Sequence, residues 1–371
     1  MRAEPLHVAL VGCGAIAELG HAPALLELAG ECTVTSVVDP VRERRDLLGS
    51  MLGVPEEGRR PHVAELLSEG FAIDLAVLVL PPEATGDAAA RLLRAGVRVL
   101  SEKPFAEGPA AATAIGRDIP RAQLGVVHNY GYRSDVRQAR NLLARGAVGR
   151  PRFLRLERPD PGHFPGRGAD PHWRRRGGTT AGALLDNAYH WIYLAQELAG
   201  APVTEVTARL AGAAPGESND LALVLLAHGN GVLTSIQSAW CATRAEPVLE
   251  IHGHAGSLSL TGDCGTCVLT PATGAAGETG TDGKGFVAAV EPAYTAMYRD
   301  VFACVRAGLP FGAPLDACVD VLEIIAAAAA SAAQGRTVRI GAAGSPPGGG
   351  NDGGSGTAPH EVGHSVGPEA R

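Results

Sequence analysis

Lys103, Asp186 and His190 are the three side chains whose types and settings fit proton and hydride chemistry. Lys103 sits in Glu102-Lys103-Pro104, just after the strand-like segment 97–100. A lysine at the C-terminal end of a buried strand can hydrogen-bond a substrate hydroxyl. It can also stabilise the charge that gathers on oxygen as a hydride leaves the adjoining carbon. Asp186 and His190 are spaced i, i+4, which places both on one face of an α-helix beginning near residue 184. Imidazole titrates near neutrality and can take a hydroxyl proton. The aspartate can anchor a neighbouring hydroxyl or orient the base. A lone helical histidine is more often structural; the i−4 acid after the small-residue run 177–182 is what favours chemistry here.

A second constellation concerns a phosphate-bearing ligand. Gly12-Cys13-Gly14-Ala15-Ile16-Ala17 is a GxGxxA turn between an apolar strand, Leu6–Val11, and a helix over 15–28. Such a string is weak alone and informative in this context. Gly12 permits the tight turn, Gly14 lets the backbone approach a pyrophosphate, and the small Ala17 allows close helix–sheet packing. Ala15 and Ile16 open the helix, where free N–H groups and positive dipole favour phosphate. Asp39 ends the next strand, Cys32–Val38, where an acid accepts hydrogen bonds from ribose hydroxyls and repels a 2′-phosphate. The pattern predicts NAD rather than NADP. Arg42, Arg44 and Arg45 argue the other way, since an arginine can accept that phosphate, and Asp39 also suits a plain turn before Pro40. Pro81 and Pro82 follow the strand 75–80 and are expected to flank the nicotinamide half. Glu102 and Lys103, at the next strand end, are expected beside the cofactor too. His128 and Asn129 end a strand over 123–127 and, with Tyr130, are candidate nicotinamide or substrate contacts.

These residues need a scaffold that gathers strand ends. Apolar strands alternate with helical segments through the first 127 residues, which predicts a parallel sheet covered on both faces. From residue 128 to 341 the pattern becomes several consecutive strands, at 204–210, 221–227, 232–240, 248–253 and 257–261, bracketed by helices. That is the signature of a mostly antiparallel sheet. The fold class is therefore α/β, with two domains, 1–127 and 128–341. Residues 342–371, rich in Gly, Pro and Ser and without periodicity, are expected to be a disordered tail.

The bulk numbers narrow the function classes. A 371-residue chain with 46% hydrophobic residues can bury a large core. The net charge of −7 is spread without long single-sign runs, which argues against a nucleic-acid surface. No stretch is apolar enough to span a membrane, and the N-terminus enters a strand without a signal-peptide pattern. Seven scattered cysteines read as reduced thiols of a cytoplasmic protein. Cys264-Gly-Thr-Cys267 lacks a second ligand pair, so it predicts a loop and no metal site. His252 and His254 lack a partnered acid and read as structural.

Taken together, Gly12 to Ala17, Glu102-Lys103-Pro104, His128-Asn129, Ala183-Leu-Leu-Asp186-Asn-Ala-Tyr-His190 and the later Ile251 to Leu258 segment resemble the Gfo/Idh/MocA family over about residues 5 to 341. This resemblance implies an N-terminal Rossmann domain, an open antiparallel sheet that mediates homo-oligomers (dimer or tetramer), and bound NAD. It maps the family's catalytic lysine onto Lys103 and its aspartate–histidine pair onto Asp186 and His190. It also implies a sugar or polyol substrate, whose expected contacts are Lys103, His128, Tyr130, Trp173, Asp186, Asn187 and His190. Thr85 stands where many members carry histidine. The expected activity is NAD-dependent oxidation of a secondary hydroxyl to a ketone on a sugar, cyclitol or aminoglycoside, in the setting of antibiotic biosynthesis. An NADP-dependent ketosugar reductase, an NAD-using lyase or hydrolase without net redox, and a non-catalytic dinucleotide sensor are the rivals.

Overall fold

The computed structural model describes residues 4–68, 72–117, 119–160, 181–212, 218–261, 266–272, 284–287 and 291–341. Trp173, Cys264 and the tail 342–371 lie outside the described residues.

The first sheet has six parallel strands in the order β3-β2-β1-β4-β5-β6: β1 Leu6–Val11, β2 Cys32–Val38, β3 Arg59–Arg60, β4 Leu75–Leu78, β5 Arg98–Ser101 and β6 Leu124–Val126. That order places its reversal between β1 and β4, where an α/β sheet opens a ligand crevice beyond its strand C-termini. Helices α1 Ala22–Glu27, α2 Arg42–Met51, α3 Val63–Ser68, α4 Pro82–Arg94 and α5 Pro109–Arg117 connect the strands. β1 and β4 are almost wholly buried, as strands covered on both faces must be.

The second sheet has nine strands in the order β14-β13-β12-β11-β7-β10-β9-β8-β15. They are β7 Pro151–Pro159, β8 Val203–Ala211, β9 Leu221–His228, β10 Leu233–Ala239, β11 Val248–Gly253, β12 Gly256–Thr261, β13 Thr266–Pro271, β14 Lys284–Val287 and β15 Val338–Arg339. Among these pairings only β7 with β10 is parallel. Helices α6 Ser134–Ala144, α7 Tyr189–Ala199 and α9 Leu315–Gln334 contribute buried side chains to the core shared with this sheet. Helix α8, Ala293–Ala307, packs elsewhere. Its Met297, Tyr298, Val301 and Phe302 share a core with Leu6, Val8 and Leu10 of β1 and with Leu25 of α1.

Several local expectations change. The proline turn after β4 is the start of α4: Pro81 caps it and Pro82 is its first residue, where a missing N–H costs nothing. Cys267 is not in a loop but buried in β13, and burial pushes its thiol up to about 11. His252 has an acid after all, with Nε2 3.6 Å from Glu250. The two are spaced i, i+2 on β11, and that spacing puts side chains on one face of a strand. The six described cysteines are free, and none of the described helices is long and apolar enough to cross a membrane.

Candidate active site

The glycine turn is built by a close crossing of backbone. Gly12 adopts φ +98°, and a Cβ there would lie 2.2 Å from the Val79 carbonyl oxygen. Its N–H donates to the Val38 carbonyl at 2.7 Å, tying β1 to β2 at the turn. Gly14 is the opposite case: beyond its own stretch of backbone, nothing lies within 4 Å of where its Cβ would be. One glycine is demanded by the fold, the other leaves open space over the helix start. A π-helical turn, Ala17–His21, follows before α1; such turns concentrate at functional sites. Asp39 is buried, and its carboxylate accepts the Cys13 N–H and the Val41 N–H, both at 2.8 Å. The acid thus sits directly against the glycine turn, and burial with that neighbouring charge pushes the Cys13 thiol up to about 12. The Arg45 guanidinium is turned onto the Asp39 carbonyl, at 2.6 Å.

At the ends of β5 and β6 the polar residues converge. The Lys103 ammonium donates to the Asp186 carboxylate at 2.8 Å and to the Asp186 carbonyl at 2.9 Å. Asp186 is buried at 2% exposure and Lys103 is mostly covered at 10%, so the charges compensate each other in a poorly solvated setting. The Lys103–Pro104 peptide is cis. Glu102 turns inward. Its Oε1 meets His21 Nε2 at 3.1 Å and accepts the Tyr294 hydroxyl at 2.8 Å, while Oε2 accepts the Lys103 N–H at 3.0 Å. Burial raises the affinity of Glu102 for a proton, but the hydrogen bond and charge of His21, with Lys103 and Tyr294, outweigh it and hold the carboxyl below its usual range. His21 Nδ1 lies 2.6 Å from the Tyr298 hydroxyl. Glu102, expected beside the cofactor, has its carboxylate engaged by protein groups that brace the lysine.

Asp186 lies in a π-helical turn, Leu184–Ala188, which runs into α7. A π turn carries more residues per turn than an α-helix. Asp186 goes to Lys103, while His190 Nδ1 lies 3.2 Å from the Tyr193 hydroxyl. The His190 ring stacks on Tyr130 at 4.0 Å and 12°. Burial and then the Lys103 charge hold His190 well below its usual range, so its ring is neutral at pH 7. The turn is pinned from below by Gly182, at φ +83°, where a Cβ would meet the Asn219 carbonyl oxygen. Asn219 accepts the Leu184 N–H at 2.9 Å through its side chain and the Ala183 N–H at 2.8 Å through its carbonyl.

The remaining candidates gather around this centre. His128 stacks on Tyr193 at 4.1 Å and 5°, with Nε2 3.1 Å from the Tyr189 hydroxyl; burial pushes it down to about 3. Tyr130 donates its N–H to the Tyr193 hydroxyl at 2.9 Å, and the Arg158 guanidinium lies 5.8 Å from its ring centre. Asn187 donates to Asp160 at 3.3 Å, and Asp160 is paired with Arg158 at 2.8 Å. The buried Asn129 Oδ1 has no hydrogen-bond partner among the described residues, an acceptor left for a donor from a ligand. Sequence reasoning missed His21, Tyr294, Tyr298, Asn219 and Arg158. They carry no local motif, and Tyr294 of α8 reaches Glu102 across 192 residues of chain.

The open space at Gly14, the free helix start, Asp39 beside it and the orphaned Asn129 acceptor fit a dinucleotide laid across the strand ends. Residues 6–130 match the model described as an oxidoreductase family with an NAD-binding Rossmann fold, and residues 136–259 match the GFO/IDH/MocA C-terminal domain. An uncharacterized oxidoreductase, YdgJ, of Escherichia coli strain K12 is 29% identical over 238 residues, 61% of this chain and 62% of that protein. The match thus spans less than two thirds of that relative's length. D-apiose dehydrogenase of Rhizobium rhizogenes is 28% identical over 273 residues, 70% of this chain and 74% of that protein. Among solved structures, GenD2 from gentamicin A biosynthesis, in complex with NAD, superposes with a TM-score of 0.74 at 25% identity, over 92% of this chain and 97% of that one. With both halves of one family matched in order along the chain, and a Rossmann sheet whose strand ends gather Lys103, this protein belongs to the Gfo/Idh/MocA family of NAD-binding oxidoreductases.

Proposed function

We propose that the protein is a dehydrogenase that oxidises a secondary hydroxyl of a sugar, cyclitol or aminoglycoside-type substrate to a ketone. The observation that carries this reading is the Lys103–Asp186 pair beyond the end of β5, in a sheet whose β1 ends in the dinucleotide turn, with both charges bearing on the buried His190 ring. Bound NAD supplies the hydride acceptor. His190 takes the hydroxyl proton on its ring, which is neutral at the start. Lys103 stabilises the charge on the substrate oxygen as the carbonyl forms. Asp186 holds the ammonium in place through two hydrogen bonds. Residues 1–127 bind the cofactor and residues 128–341 the substrate, with Asn129 accepting a hydrogen bond from the nicotinamide amide and Asn187, His128, Tyr130 and Trp173 in reach of substrate. The preference for NAD over NADP rests on the buried Asp39 carboxylate. The NAD-bound GenD2 and the D-apiose dehydrogenase relative support a sugar-type substrate and an antibiotic-pathway setting.

The test is steady-state kinetics over a panel of inositols, aminocyclitols and aldoses. Lys103→Ala and His190→Ala should each lower kcat/KM at least about a hundredfold, the usual scale for positioned acid–base groups. Near-normal values in both would end the reading. Turnover with no net NADH produced would point instead to lyase or hydrolase chemistry. The protein is further proposed to be a cytoplasmic homo-oligomer, its interface formed by the open face of the second sheet, where Leu223, Leu225 and Leu233 stand exposed.

A further inference from the structure

We propose that Tyr193 is a positioning residue for this reaction: its phenol oxygen accepts the Nδ1–H of His190 and so fixes the imidazole tautomer whose Nε2 lone pair takes the substrate proton. The inference rests on His190 acting as the base. A neutral imidazole has one N–H and one lone pair, and which nitrogen carries the proton is decided by the partner of the other. Here Nδ1 is committed to Tyr193, at 3.2 Å, three residues on along α7. Only Nε2 remains for a substrate, and a base needs that nitrogen unprotonated.

The phenol is built to receive. Its oxygen has acceptor capacity beyond its single O–H. Part of that capacity accepts the Tyr130 N–H at 2.9 Å, leaving the rest to match the Nδ1–H of His190. Burial pushes the Tyr193 phenol well above its usual range, so it stays a neutral hydroxyl at working pH. Both rings are held against rotation. Tyr193 lies flat on His128 at 4.1 Å, and His190 lies flat on Tyr130 at 4.0 Å. Tyr193 also lines a cleft of about 700 Å³ with Gln196 and Glu197. When His190 takes a proton at Nε2, the Nδ1–H to Tyr193 bond persists and becomes charge-assisted, which stabilises the imidazolium.

The test begins with the tautomer itself. Long-range ¹H–¹⁵N spectra of histidine-labelled wild-type protein at pH 7.5, with His190 assigned from the signals lost in His190→Gln, should show protonation at Nδ1. An Nε2–H tautomer would overturn the proposal, and this measurement needs neither substrate nor a Tyr193 variant. Tyr193→Phe should then shift His190 toward the Nε2–H form and lower kcat about tenfold or more, with KM and the Kd for NAD changed less than about threefold. An unchanged tautomer, or a changed one with unchanged kcat, would also overturn it. Full activity in His190→Ala would instead sink the base assignment, and with it the catalytic half of the proposal, independently of the tautomer measurement.

Discussion

Lys103 and Asp186 are both almost inaccessible, and each is tolerable there because the other is 2.8 Å away. His190 and His128 are kept neutral by the same loss of solvent. For His190 this has a kinetic meaning: its lone pair is present throughout the neutral range. For His128 it has a stability meaning. The folded protein holds this ring unprotonated down to about 3, whereas in the unfolded chain it takes a proton near 6.5. Below pH 6.5 the unfolded state therefore binds the extra proton, and stability falls as pH falls, until the folded form also protonates. At pH 5 the loss from this group alone is about 2 kcal/mol, at roughly 1.36 kcal/mol per pH unit. Denaturant unfolding at pH 7.5 and pH 5 should show a drop for wild type that is smaller by about this amount in His128→Gln. Equal drops would place the acid sensitivity elsewhere.

Elements position these residues by interrupting their own regularity. The helix after the glycine turn and the helix bearing Asp186 both contain a π turn, a break in α-helical regularity that residue spacing does not announce. The glycines at their approaches differ in kind. Gly12 and Gly182 are held at positive φ with backbone where a side chain would go, while Gly14 is open. A methyl at Gly12 must displace the Val79 carbonyl, so Gly12→Ala should cost about 3 kcal/mol or more, read as a large drop in Tm. Gly14→Ala should fold with a Tm within a few degrees of wild type yet bind NAD about tenfold or more weakly, because its methyl would enter the space left for pyrophosphate. Calorimetry and NAD titration separate the two; similar stability losses in both would refute the distinction.

For the whole molecule, the informative feature is how distant segments close the site. Helix α8 brings Tyr298 onto His21 and Tyr294 onto Glu102, so the strand end that carries Lys103 is braced by a late part of the chain. The second sheet puts α7 and α9 against its buried side and leaves Leu223, Leu225 and Leu233 exposed, the first two beside Thr207, Arg209 and Gln237, on the other. Apolar side chains repeated along neighbouring strands suit burial against a second copy. Light scattering coupled to size exclusion should report a dimer or tetramer for wild type and a smaller species for Leu225→Glu. A wild-type monomer at micromolar concentration would remove this surface from consideration.

Alternating strands and helices, the GxGxxA turn, Asp39 and the Glu102-Lys103-Pro104 segment were readable in the sequence because each depends on short-range rules: hydrophobic period, backbone freedom at glycine, and position after a strand. Those rules foresaw β1, β2 and β11 nearly to the residue. They could not supply the π turns, the second of which sits where Gly182 and Asn219 clamp the chain, nor the early start of α4 at Pro82. Tertiary structure alone decided that Asp186 pairs with Lys103 across 83 residues rather than with His190 on its own helix, and that Tyr193 became the partner of that histidine. Hydrogen bonds between side chains are fixed by distance in space. Local sequence constrains that distance only within a turn or a strand pair, and the site is assembled from segments far apart in the chain.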